Sequence, residues 1–311
     1  MRHIYADNIL KEGNSDIESI VKQVDLDWEI VQAPCFYRDP ISHELVKTED
    51  YFALKKQGDI VTRLSLTGGD FVPLSPRTLF EIIMKIAHRT MLEIKAAGHT
   101  REGKYIYALC EMPEASHVHG VSFKNYLLIS SSNEKNQKTR LTPVCISEHA
   151  KIQLPVLMTE KPDESSITIS HHYTLDADEV AFDILERFRI TQSDYFSTLD
   201  DFSKAVIDDK LIGQFHHNMY RRFKVGKSVK KEYESAMIDL MSCHETFEQT
   251  LSQDMRSTVL SLWLSFNYYF DNLKSRRGGT SGKIHSINFG MDEKTKREAY
   301  NELLKLYAKL K

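Results

Sequence analysis

Two stretches of the chain hold basic residues with no acid among them, and these are the side chains best suited to gripping a polyanion. Residues 214–231 carry Arg221, Arg222, Lys224, Lys227, Lys230 and Lys231, interleaved with Phe215, His216, His217, Tyr220 and Phe223. Cations so placed neutralise phosphates, and exposed aromatic rings stack on bases. Residues 272–290 carry Lys274, Arg276, Arg277 and Lys283 together with four glycines. Glycine lets the backbone approach a phosphate closely, and a helix N-terminus following such a stretch favours anions. The alternative is a solvated helix face and a flexible loop, with Phe215 and Phe223 in the core. A third basic feature, Lys124, Lys135, Lys138 and Arg140, is diluted by Glu134.

Other constellations are weaker. Asn267, Asp271 and Lys274 recur at helical spacing on the Trp263 segment. They either line a site or form a buried polar network with Arg277. His117 and His119 share a face if both lie on a strand, but no further ligand sits at a zinc spacing. His171-His172 and His216-His217 are adjacent and point apart. The cysteines lack a histidine partner recognisable in sequence, and there is no GxSxG. GGTSGK (278–283) matches a phosphate loop in composition and not in spacing. Asp7, Asp16, Asp25 and Asp27 form no cluster diagnostic of a two-metal nuclease. The expectation is therefore a non-enzyme without metal or cofactor.

The bulk composition is that of an ordinary globular protein. The 311 residues carry a formal net charge of -3, which gives no global attraction to nucleic acid, so any such site must come from local clustering. The N-terminal residues contain no apolar core of signal-peptide length. The most apolar run, 259–270, is broken by Ser261, Ser265 and Asn267, so no membrane span is expected. Cys35, Cys110, Cys145 and Cys243 are scattered, which points to reduced thiols in a host-cell cytoplasm.

The elements that must position these groups follow from capping and periodicity. Ser75, Pro76 and Gly98 predict one long helix over 75–97, with Leu79, Ile83, Ile86, Ala87, Met91 and Ile94 on one face. Strands are expected at 28–31, 60–66, 104–112, 121–131, 139–146 and 166–171. A hairpin turns at 133–136, and Pro143 marks an edge or a bulge. Asp176 and Glu179 suggest a capping box, and helices follow near 198–210, 228–252, 254–274 and 292–310. The fold class is α+β: a long helix packed on an antiparallel sheet, then a mostly helical C-terminal region. The composition shift near 175 divides the chain into 1–175 and 176–311, with a basic loop at 275–290.

Three groups of segments carry a likeness. They are DLDWEIVQAPCFY (25–37) with GGDFVPLSPRTLFEIIMKI (68–86), then GKYIYALCEM (103–112), YLLISSSNEK (126–135), RLTPVCIS (140–147) and ITISHHYTLDADEVAFDILE (167–186), and finally LWLSFNYYFDNLKSRR (262–277) with HSINFGMDEKTKREAYNELL (285–304). In order and spacing they resemble the phage/plasmid-like family of unknown function found in tailed phages, prophages and plasmids. Trp263, Asn267, Asp271, Arg277, Ser286, Phe289, Gly290 and Lys294 match its C-terminal signature. The chain departs from the family at SSSNEK (130–135), where Ser-His-Asp-Gly is usual, and at ISEHA (146–150). The resemblance implies a mobile-element setting and supplies no mechanism.

Together these features lead to the expectation of a single-stranded DNA- or RNA-binding protein acting in recombination or replication, in the manner of a strand-annealing factor. The site would comprise the ten basic residues of the two acid-free stretches, with Tyr220 or Tyr268 stacking on bases. Self-assembly into a homo-oligomer would fit annealing. The rival expectation is a protein-interaction module of a mobile element, with a host or phage protein as partner.

Overall fold

The computed structural model describes the backbone of residues 8–9, 16–134, 137–169, 177–223 and 229–311; side chains are described for these except at 8–9, 177–185, 220–223 and 229–235. The strands are β1 (Asn8–Ile9), β2 (Glu29–Arg38), β3 (Leu45–Gln57), β4 (Ile60–Thr67), β5 (Glu93–Thr100), β6 (Tyr105–Val118), β7 (Val121–Ser132), β8 (Thr139–Ser147), β9 (Ile152–Pro155) and β10 (Ile167–Ile169). The helices are α1 (Ile17–Gln23), α2 (Pro76–Thr90), α3 (Ala177–Lys204), α4 (Asp209–Phe223), α5 (Val229–Glu248), α6 (Val259–Tyr268), α7 (Gly279–Phe289) and α8 (Met291–Leu310). The architecture is α+β with a helical C-terminal region.

Strands β2, β3 and β4 form one antiparallel sheet. The larger sheet runs β1-β5-β6-β7-β8-β10, with β9 also paired to β8. Strand alternation gives the larger sheet two apolar faces. Ile106, Ala108, Cys110, Leu127 and Ile129 pack against Leu79, Phe80, Ile83 and Ile86 of α2. Tyr107, Leu109, Tyr126, Leu128 and Val144 face Ile284 and Ile287 of α7. A third cluster joins Phe123, Cys145, Ile152 and Leu154 to Tyr195, Leu199, Phe202, Trp263, Tyr300 and Leu303, so sheet and C-terminal helices share a core. The division expected at 175, like the capping residue Asp176, lies outside the described residues.

The helix expected over 75–97 stops at Thr90. Ser75 caps it as anticipated, accepting from the Thr78 N–H at 3.1 Å. Met91 then turns left-handed at φ 55°, and residues 93–100 become β5. The small residues Ala96 and Ala97 are the reason: each is fully buried, one under each face of the sheet. Gly98 is no helix stop; a Cβ there would lie 3.0 Å from the Tyr107 hydroxyl. Strand β8 is internal, and Pro143 sits between its segments paired to β10 (139–141) and to β9 (144–147), where its missing N–H interrupts neither ladder. The helix expected at 198–210 is instead the end of α3, which reaches Lys204.

Candidate nucleic-acid interface

Most of the first basic stretch lies beyond description. Arg221 and Arg222 lie on α4 and Lys230 and Lys231 on α5, with side chains that are not described; Lys224 and Lys227 lie outside the described residues altogether. Phe215 and His216 are fully buried, whereas His217 is exposed.

The second stretch is clear. Thr258 caps α6, reciprocated by Ser261, and the helix ends in a π-helical turn, Tyr269–Leu273, closed by the Lys274 N–H donating to the Tyr269 carbonyl at 2.8 Å. Such π turns re-aim side chains and recur at functional sites. Only residues 274–278 and Gly290 remain irregular, because α7 spans Gly279–Phe289; the glycine-rich loop expected over 275–290 is thus mostly helix. Ile284 and Ile287 drive this, burying themselves on the sheet. Gly282 is required by packing, since a Cβ there would sit 2.3 Å from the Arg277 carbonyl oxygen.

The polar stripe of α6 turns inward. Asp271 and Lys296 are both buried, with Lys296 Nζ donating to Asp271 Oδ1 and to the Gln153 carbonyl at 2.6 Å each. The Gln153 N–H donates to Asp271 Oδ2 at 2.8 Å. Burial pushes the Asp271 carboxyl up and the Lys296 ammonium down, and their contact opposes both shifts. Asp292, also buried, takes Lys274 Nζ at 2.7 Å and Arg276 Nε at 2.5 Å. Burial raises its pKa, but the hydrogen bonds from Lys274, Ser286 and Arg276 outweigh it, leaving the carboxyl below its ordinary value. The acid-free stretch is therefore partly neutralised by an acid from α8. Arg276 donates as well to the carbonyls of Lys274 and Phe270, which gives it a structural anchor. Of the two readings of this stripe, the buried polar network holds for Asp271, whose ion-pair partner is Lys296 and not Arg277, while Lys274 pairs with Asp292.

Two cavities flank residues 274–277. A groove of about 980 Å³ is walled by Phe247, Tyr268, Tyr269, Lys151, Lys274 and Asp239. A second pocket of about 540 Å³ is lined by Arg101, Arg276, Arg277, Ser281, Gly282 and His285. Lys274 and Ser275 belong to the first, and Arg276 and Arg277 to the second, so four consecutive residues form a shared wall. Arg277 is exposed; Lys283, half-buried on α7, has its ammonium pushed down by burial. Neither forms an ion pair with a carboxylate among the described residues. His285 places Nδ1 3.0 Å from the Thr100 hydroxyl, and burial, reinforced by Arg101, pushes its pKa down to about 4.

Sequence reasoning missed Arg101, Lys151 and Asp292. Arg101 sits at φ 50° in the β5–β6 turn, and no local signal marks it as a neighbour of residues 276–277. The histidine pair also changes character: His117 is on β6 bonded to Ser122, while His119 is in the following turn, 2.6 Å from Asp254. A Ser265–His244–Glu248 relay has hydrogen-bond spacing on its first link, 2.8 Å, but Ser265 and His244 are buried and tie α5 to α6. Among the described residues no three His, Cys, Asp or Glu side chains are placed to share a metal ion, and no helix is long and apolar enough to cross a membrane. Compared with family models, curated proteins and solved structures, the chain matches none.

Proposed function

We propose that this chain binds single-stranded nucleic acid along residues 274–277, as a non-enzymatic member of the phage/plasmid-like family acting in recombination or replication. The observation that carries this reading is the shared wall: an aromatic groove lined by Lys274 and Ser275 and an arginine-lined pocket lined by Arg276 and Arg277, consecutive residues of one segment. Tyr268 and Tyr269 offer stacking faces in the groove, Arg277 lines the pocket, and Lys283 on α7, which lines neither cavity, would add a further cation for phosphates. Arg276 and Lys274, committed to Asp292, shape the wall. Arg221, Arg222, Lys224, Lys227, Lys230 and Lys231 would add contacts further along the strand.

Fluorescence anisotropy with labelled oligo-dT and oligo-U over a salt series tests it. Each phosphate neutralised contributes about 0.7 to the slope of log affinity against log salt, so Arg277→Ala with Lys283→Ala should flatten the slope by roughly 1.4. Tyr268→Ala should weaken binding by about 1–3 kcal/mol if a base stacks there. An absence of binding to either oligonucleotide at low salt refutes the proposal.

One observation favours the rival reading of a protein partner. On one face of the β2-β3 ladder Phe36 and Leu45 are diagonal neighbours, 50% and 67% accessible, an exposed apolar pair open to a protein partner. If Phe36→Ser/Leu45→Ser abolishes function in the host while oligonucleotide affinity is unchanged, the protein-partner reading prevails.

A further inference from the structure

We infer that the pocket lined by Arg101, Arg276 and Arg277 is a phosphate-monoester site, taking the terminal phosphate of a strand or of a free nucleotide. The inference deepens the single-strand reading and rests on it for the strand as the source of that phosphate.

Charge accounting distinguishes a monoester from an internal diester. Arg276 and Lys274 share Asp292, so those three groups together carry a single positive charge. Arg101 lies over the Tyr105 ring at 5.8 Å, and Arg277 is exposed; neither meets a carboxylate at ion-pair distance among the described residues. These two guanidinium groups are thus uncompensated cations facing one cavity, and no acid lines it. A phosphate monoester carries about -1.5 to -2 at pH 7, while a diester carries about -1. Two free guanidinium groups, with the residual positive charge of the Arg276 cluster beside them, favour the former. Guanidinium is also the side chain whose planar fork matches phosphate oxygens two at a time.

The shape of the pocket agrees with the charge. Arg101 reaches it from the β5–β6 turn and Arg277 from the segment that precedes α7, so a ligand would be held from two independent elements. Gly278, Gly282 and Gly290 present no side chains on its rim, and the Ser281 hydroxyl lines it as a neutral donor. His285, kept neutral by burial, forms an uncharged floor fixed by Thr100. The first N–H groups of α7 lack a side-chain cap, an addition to the donor set that the arginines already define.

The test compares 3′-labelled ten-nucleotide strands ending in a 5′-phosphate or a 5′-hydroxyl at fixed ionic strength, alongside calorimetric titration with a nucleoside 5′-monophosphate. The full chain should bind the phosphorylated strand about tenfold more tightly. That ratio should fall toward one in Arg101→Gln and, independently, in Arg277→Gln. Equal affinity for the two strands overturns the terminal-phosphate site and leaves the strand reading standing. If neither strand binds but the mononucleotide does, and Arg101→Gln abolishes it, the site stands with free nucleotide as its source and the strand reading falls. If neither strand nor mononucleotide binds, both fail.

Discussion

Replacing Lys296 with Met removes the ammonium that touches Asp271 while keeping an unbranched side chain of similar length. Both partners are buried, Asp271 at 0% and Lys296 at 2% exposure, and the contact is 2.6 Å. Breaking such a pair from one side leaves a buried charge uncompensated, a loss of about 3–5 kcal/mol. At about 2 °C per kcal/mol for a chain of this size, the midpoint should fall by roughly 6–10 °C. The variant should also carry a pH signature. Burial raises the Asp271 carboxyl and Lys296 lowers it, so without the lysine its folded pKa moves further above the unfolded one. Between the two values the native state then binds more protons than the unfolded state, and stability falls as pH rises, by about 1.4 kcal/mol per unit. The deficit relative to the parent should therefore shrink as pH falls toward the unfolded carboxylate range. Asp271→Asn/Lys296→Met keeps an acceptor for the Gln153 N–H and should recover about 2 kcal/mol of the loss. Guanidinium titrations at several pH values provide the measurement. A Lys296→Met deficit below about 1 kcal/mol, or one that does not shrink in acid, refutes the reasoning.

Three further outcomes are expected. Ile86, 1% exposed between α2 and the sheet, should not tolerate a carboxylate: Ile86→Asp should unfold or aggregate, and a soluble, natively folded variant by circular dichroism would contradict the packing. His216 is buried with both ring nitrogens unpartnered, and burial, reinforced by His244, lowers its pKa to about 3. The unfolded state therefore binds a proton that the native state refuses below pH ~6.5, costing about 2 kcal/mol by pH 5; His216→Phe should remove about one proton from the linkage slope measured by unfolding across pH. The four cysteines are free, with three buried, so a thiol reagent should titrate four groups after denaturation and at most Cys35 rapidly before it.

What the sequence made legible was whatever is decided locally. Ser75-Pro76 caps α2 as read, and the 6–7–8 meander follows the alternation of its residues, because capping and strand periodicity depend on neighbours a few positions away. The errors lie where distant groups decide. Residues 91–97 have helical spacing, yet Ala96 and Ala97 are small enough to be enclosed between α2 and α7, and only that enclosure makes them a strand. Residues 279–289 read as a loop because glycines outvote two isoleucines in a local count; burial of Ile284 and Ile287 reverses the outcome, and Gly282 proves to be a packing requirement. The same logic reorders the candidate site. A stretch without acids looks like free positive charge until Asp292, delivered by the next helix, claims Lys274 and Arg276. Conversely, Arg101 gains its place only through β5, the strand that the helix reading had erased. Within the second basic stretch and the pocket beside it, the described cations without a carboxylate partner are Arg101, Arg277 and Lys283, drawn from three segments, so fold rather than composition decides which charges there can meet a ligand.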